Sequence, residues 1–213
     1  MRKELEESIH QAVIGEVSDW DLANVDSPKF NAGIELVMDI VKKHGKVVVW
    51  GLFVNTLKKI TRVLNERGIN TKVIYGGTPR DERDDIIRTF KENTDEIQVL
   101  VSNPNTLGES VSLHHIVHDA VYFEYNYNLT FMLQSRDRIH RLGLPEDQST
   151  RYYYLMTVSD GEIYNFIDQK IYEKLAEKEA RMRESIDGDY LVPEFVDDEI
   201  EEMKQIIASE RRF

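Results

Sequence analysis

Gln134, Arg138 and Arg141 recur at i, i+4 and i+7 inside the segment QSRDRIHRLG, a spacing that puts one amide and two guanidiniums on a single face of a helix. Such a face suits a phosphate, because the planar, permanently charged guanidinium fork binds phosphate oxygens in pairs and a stiff helix holds two forks in register. A solvated basic helix is the competing reading of this segment. Leu129, Met132, Leu133 and Ile139 argue against it: they form the opposite, core-facing stripe, and the apolar run Ala120 to Phe123 lies just upstream.

Alternating strands and helices supply the frame for this helix. Lys46 to Trp50 is an apolar run after the breaker Gly45, and Leu52 to Arg67 carries Leu57, Ile60, Val63 and Leu64 at helical spacing until Gly68 stops it. Thr71 to Tyr75 repeats the strand signal before a Gly76-Gly77 turn. Thr78 is then read as the cap of a helix with Pro79 at its first position, Asp81 in its first turn, and Ile86, Ile87 and Phe90 on its buried face. Further strands are expected at Ile97 to Val101, Ala120 to Phe123 and Tyr152 to Met156. This alternation predicts an α/β fold, a parallel sheet with helices on both faces. Residues 1 to 26 read as a weakly amphipathic helical extension, with a linker over Asp21 to Pro28. Residues 159 to 213 read as a helical extension with an acidic tail: Ser159 and Glu162 form a capping box, and Asp187-Gly188-Asp189 ends the helix.

Composition narrows the function. The chain has 213 residues, 41% hydrophobic and 31% charged, which suits one sizeable soluble domain of residues 27 to 158 with appendages. No run of about 18 apolar residues predicts a membrane span. The absence of cysteine excludes disulfides and thiolate metal sites and agrees with a cytoplasmic or nucleoid-associated setting. A formal charge of −12 argues against strong free-standing binding to nucleic acid, although Lys42, Lys43, Lys46, Lys58, Lys59 and Arg62 form a local basic stretch. His114, His115 and His118 have helix-compatible ligand spacing, but with Asp119 as the single adjacent acid they are read as surface or hydrogen-bonded histidines, so no metal site is expected.

The wording Gln134, Asp137-Arg138, His140-Arg141, Gly143 resembles the last motif (motif VI) of superfamily-two helicases, in its Swi/Snf branch of DNA translocases. The resemblance covers about 150 residues, Ser27 to Lys178, on the scale of one domain. Within it KVVVWGLF is similar to motif IV, IYGGT to the glycine turn after it, SNPNTLGESVSL to motif V and VYFEYNYNLTFMLQ to the segment leading into motif VI. Three departures stand out: Leu144 replaces the usual glutamine, Ser110 a glycine, and Ser112 an Asn or Asp.

The resemblance implies the second RecA-like lobe of an ATP-dependent DNA motor. Arg138 and Arg141 are then arginine fingers reaching ATP held by another lobe, with Gln134, Gly108 and Ser112 on the nucleotide side. Gly76, Gly77, Thr78, Lys58, Lys59, Ser102 and Asn103 are then the candidates for the DNA backbone; Gly76-Gly77 by itself is more often an ordinary tight turn, and it is the place in the motif order that favours DNA contact. Glu124 stands where the family often has Asp. Tyr127 takes the place of a Trp and is either a coupling residue between the DNA and ATP sides or a core aromatic.

No Gly-x4-Gly-Lys-Ser/Thr occurs in the chain, so the loop that cradles ATP phosphates and the hydroxyl that holds Mg2+ are missing. Asp95-Glu96 and Asp198-Glu199 mimic a magnesium-binding box, but neither follows an apolar strand at its carboxyl end. The expectation is a motor lobe inactive by itself, with an N-terminal RecA-like lobe and double-stranded DNA as partners and ATP·Mg2+ bound mainly by that first lobe. Two other readings stay open. One is a non-catalytic nucleic-acid or partner-binding module derived from such a lobe; the other is an unrelated nucleotide enzyme, which no acid, base or nucleophile cluster recommends.

Overall fold

Ser27 sets the start of the first helix: its hydroxyl accepts the Phe30 N–H at 3.1 Å, Pro28 opens the first turn, and α1 runs Pro28–His44. The sequence alone suggests a linker through Pro28 and no element over these residues; the Ser27 cap and Pro28 show where the helix begins instead. Gly45, at φ 83°, closes α1 with its N–H on the Val41 carbonyl at 2.8 Å. The computed structural model describes residues 27–92, 94–107, 111–140, 144–145, 148–158 and 166–187. The expected N-terminal extension, the Ser159–Glu162 capping box and the acidic tail lie outside them.

After α1 come β1 (Val47–Trp50), α2 (Val54–Glu66), β2 (Thr71–Ile74), α3 (Arg80–Lys91), β3 (Val99–Ser102), β4 (Asp119–Tyr122), α4 (Leu129–Arg136), β5 (Arg151–Tyr154) and α5 (Ile167–Asp187). The strands form one sheet in the order β2-β3-β1-β4-β5, every pairing parallel. Register is even across the centre: Val48 faces Leu100 on one side and Ala120 on the other. The chain is thus an α/β protein with a five-stranded parallel sheet and, among the described residues, five helices, the architecture of a RecA-like lobe.

Alternation along the strands divides the core in two. Val47, Val49, Val99, Val101 and Val121 face α1 and α2, where Ile34, Val37, Leu57, Ile60 and Leu64 are buried. Val48, Trp50, Leu100, Ala120 and Tyr122 face the other way, onto Ile86, Ile87 and Phe90 of α3, Met132 of α4 and Leu175 of α5. Each such aliphatic side chain, fully buried, is worth about 1.5–3 kcal/mol. Contact with α1 depends on Gly33, because a Cβ there would collide with the side chains of Leu155 and Phe123. α5 is therefore no loose appendage: Ile171, Tyr172 and Leu175 pack on the lobe, and Asp168 near its start accepts the Lys29 ammonium at 2.8 Å and the Thr157 N–H at 3.0 Å.

Buried charges hold the amino edge of the sheet. Asp119, 1% exposed, receives both arms of the Arg151 guanidinium at 2.7 and 2.8 Å. Lys46 is also buried, and its ammonium donates to the carbonyls of Phe90, Glu92 and Ile97 at 2.8, 2.8 and 3.1 Å. All three of its donors are used, so it caps the end of α3. Burial lowers the Lys46 pKa, against the attraction of Asp95 and Glu92. The basic stretch of the sequence is thereby divided: Lys46 is internal, Lys42 and Lys43 sit at the far end of α1, and Lys58 and Lys59 lie near the start of α2.

Candidate functional site

In a parallel sheet the turns after the strands collect along the carboxyl edge, with backbone N–H groups and helix N-termini around them. Four such turns carry candidate residues. Leu52 and Phe53 follow β1, and the α2 N-terminus they lead into has no cap from its own segment. Glu124, from the end of β4, supplies it instead: its carboxylate accepts the Leu52 and Phe53 N–H groups, each at 3.0 Å, and the Thr56 hydroxyl at 2.7 Å. The partial positive charge of that helix end is therefore already satisfied by this chain, and an incoming phosphate has no vacant place there.

After β2, Gly76 and Gly77 are exposed. Thr78 is buried and does not cap α3; its hydroxyl accepts the Tyr75 N–H at 3.0 Å and closes the glycine turn, while Pro79 occupies the N-cap position. The Lys58 ammonium lies 4.8 Å from the centre of the Tyr75 ring, which brings this cation beside the turn. Lys59 points elsewhere, 4.7 Å from the Phe30 ring, in a hollow formed with Ser27, Lys29, Thr56, Phe123 and Glu124. After β3, Ser102 is fully buried with its hydroxyl on the Ile74 carbonyl at 2.9 Å, so this hydroxyl serves the sheet and is not displayed to DNA. Asn103 is half-buried and donates to the Leu52 carbonyl at 3.1 Å, stitching the β3 turn to the β1 turn.

The arginine segment differs from its expected geometry. α4 ends at Arg136, and Asp137 to Ile139 form a turn, so Gln134, half-buried on α4, and Arg138 do not share one helical face. The turn after the helix is built on the Arg136 carbonyl, which accepts the Ile139 and His140 N–H groups, both at 3.1 Å. Arg138 is 5% exposed, and its carbonyl accepts the Leu113 N–H at 2.7 Å. Ser112, hydrogen-bonded with the His114 imidazole, is thus brought next to the Arg138 turn. This joins the segments read as motifs V and VI. Gly108, Arg141 and Gly143 lie outside the described residues.

Sequence reasoning missed Arg136. Its Nε–H donates to the Tyr154 hydroxyl at 2.9 Å and its Nη1 to Glu179 of α5 at 2.7 Å, while the guanidinium lies 5.7 Å from the Tyr152 ring centre. Burial opposes its charge, but the bonds and attractions to Tyr154 and Glu179 prevail and hold it charged more firmly than usual. No local signal marks such a residue, because its acidic partner is 43 positions away. Tyr127, the possible coupling residue, has its carbonyl on Lys178 of α5 at 3.3 Å.

Around Arg136 the tyrosines form a cluster. Tyr122 and Tyr154 stack with centres 4.7 Å apart, and Tyr125 meets Tyr154 edge-on at 5.7 Å. Burial raises the pKa of Tyr122, Tyr125 and Tyr154, and lifts Tyr152 to about 12 in spite of Arg136. The folded state therefore keeps phenolic protons that the unfolded chain releases from about pH 10 upward, so this stabilisation is complete below about pH 10 and is lost as pH rises toward the folded-state values. The urea midpoint is expected to fall steeply above about pH 10, with phenolate absorbance from the cluster appearing together with unfolding. Ionisation of every tyrosine near pH 10 in a still-folded protein would contradict this.

Comparison with known proteins follows the same outline. The family model of the helicase conserved C-terminal domain matches residues 29–143. A Caenorhabditis elegans SWI/SNF-related matrix-associated actin-dependent regulator of chromatin subfamily A-like protein 1 homolog is 25% identical over 126 residues, 59% of this chain and 18% of that protein. The subfamily A containing DEAD/H box 1 homolog of the same organism is 32% identical over 111 residues, 51% of this chain and 11% of that protein. The chain thus spans less than a fifth of either relative. In fold it is similar to the C-terminal part of the Fun30 ATPase domain, with TM-score 0.62 and 19% identity over 95% of this chain and 62% of that one. It is also similar to the Sulfolobus solfataricus SWI2/SNF2 ATPase core in complex with dsDNA, with TM-score 0.54 and 22% identity over 75% of this chain and 31% of that one.

Proposed function

The chain belongs to the helicase conserved C-terminal domain family, and from that premise we propose that it is a lobe of SWI2/SNF2 type, the second motor lobe of an ATP-dependent translocase on duplex DNA. One observation carries the reading: the Leu113 N–H to Arg138 carbonyl bond joins the motif V and motif VI segments in this fold, next to Ser112. The residues present fit half of a nucleotide site. There is no phosphate loop in the sequence, and the α2 N-terminus, whose N–H groups would otherwise face a phosphate, is taken by Glu124. ATP and Mg2+ are then held by a first RecA-like lobe. Arg138 and Arg141 supply charge to the phosphates from this side, Arg138 turning out of its buried position as the lobes close.

On the DNA side the contacts are the exposed Gly76-Gly77 backbone and Lys58, with Lys59 and Asn103 further along the same edge. That is a thin cationic face on a chain of charge −12. Binding of the chain alone to duplex DNA is expected to be micromolar or weaker, as for non-specific binders, and to weaken steeply with salt. Fluorescence anisotropy across a salt series tests it, with Lys58→Ala lowering affinity and flattening the salt slope by about one contact. Nanomolar affinity that persists at high salt would refute this placing of the track.

The 5% exposure of Arg138 favours a second reading, a partner-binding module in which this arginine has become structural. The two readings differ in what happens to turnover when Arg138 is replaced.

A further inference from the structure

The Arg138 turn is held from Arg136 as well as by the Leu113 N–H on the Arg138 carbonyl. The Arg136 carbonyl is the acceptor that shapes the turn, taking the Ile139 and His140 N–H groups at 3.1 Å and the Tyr152 hydroxyl at 3.3 Å. Its side chain is fixed from two other elements, Tyr154 of β5 and Glu179 of α5, with side-chain exposures of 24% for Arg136 and 16% for Glu179. Glu179 is gripped again by Arg183, one turn further along α5. α5 itself is anchored at its start, where Asp168 holds Lys29 and Thr157 and its carbonyl receives the Tyr125 hydroxyl at 3.2 Å. A shift of α5 is therefore transmitted through Glu179 to Arg136, and through the Arg136 carbonyl to the turn that carries Arg138.

We infer that Arg136 and Glu179 are positioning residues for the proposed arginine finger: the Arg136–Glu179 pair makes the placement of the Arg138 turn depend on α5, a helix outside the family match of residues 29–143. The inference rests on the finger reading of Arg138. It adds that α5 sets the catalytic geometry without touching nucleotide. Displacing a catalytic group by about 1 Å costs on the order of 10²-fold in rate, so a lost anchor shows in turnover before it shows in binding.

The test uses the ATPase with both lobes present. Arg136→Ala and Glu179→Gln are each expected to lower kcat by about 10-fold to 10²-fold, with KM for ATP and affinity for DNA nearly unchanged. Arg136→Ala should add little in an Arg138→Ala background, since both act on one turn. In this chain alone, amide exchange at Ile139 and His140 should accelerate in Arg136→Ala while the β1 and β4 amides keep their protection. A lower melting temperature with unchanged kcat and unchanged exchange at those two amides would overturn the inference. Should Arg138→Ala itself leave turnover intact, it is the finger reading that fails, and the anchoring of the turn is still decided by the exchange of Ile139 and His140.

Discussion

Mixed with a lobe that carries a phosphate loop, this chain is expected to give DNA-stimulated ATP hydrolysis that neither lobe shows alone. The sequence has no loop to cradle phosphates and no hydroxyl for Mg2+, so the chain by itself should hydrolyse ATP no faster than background. The N-termini of α1 and α2 do not replace that loop, since Ser27 caps the first and Glu124 the second. What the chain supplies is charge to phosphates held elsewhere, and an arginine finger delivered from a second body is worth about 10³–10⁵ in kcat. The gain on mixing should be of that order. A coupled assay on each lobe and on the mixture, with and without duplex DNA, measures it. Turnover by this chain alone, stimulated by duplex DNA in highly purified protein, would sink the two-lobe account.

The fold was legible where apolar runs alternate with helical stripes, because burial on both faces of a parallel sheet leaves that signature in Val47 to Trp50, Val99 to Ser102 and Asp119 to Tyr122. α1 was missed although Ser27, Pro28 and the spacing of Phe30, Ile34, Val37 and Val41 announce it; the polar stretch before Ser27 drew the reading toward a linker. The site was legible as residue types and less so as geometry. A seven-residue spacing cannot show that α4 stops at Arg136, nor that Leu113 meets Arg138 from 25 positions away. Nor can it show that two hydroxyls at plausible DNA-facing turns are spent inside the fold, Thr78 on closing its own turn and Ser102 on the neighbouring strand. Glu124 works through partners 68 or more positions distant and Arg136 through partners 18 and 43 positions distant, which no local pattern reports.

The arginines carry the central claim. Arg138 sits in a turn rather than on a helix, and it is buried in the lobe as it stands. A finger in such a place has to be released by lobe closure, whereas a structural arginine stays where it is. Replacing a structural arginine lowers stability, and the activity of the molecules that remain folded is kept. Replacing a finger removes charge that matters most in the transition state, so kcat falls while folding and DNA binding persist. Lysine separates the cases further, because a single ammonium cannot bridge two phosphate oxygens as the guanidinium fork does. The decisive measurement is steady-state ATPase of the two-lobe protein at saturating DNA for Arg138→Ala and Arg138→Lys, with Arg141→Ala in parallel, alongside DNA affinity and a melting curve for each. The account predicts turnover lowered by about 10³-fold in all three, unrescued by lysine, with affinity and melting nearly unchanged. Near-normal turnover in Arg138→Ala, or turnover lost in step with the folded fraction, would contradict it and leave the partner-binding module as the better description.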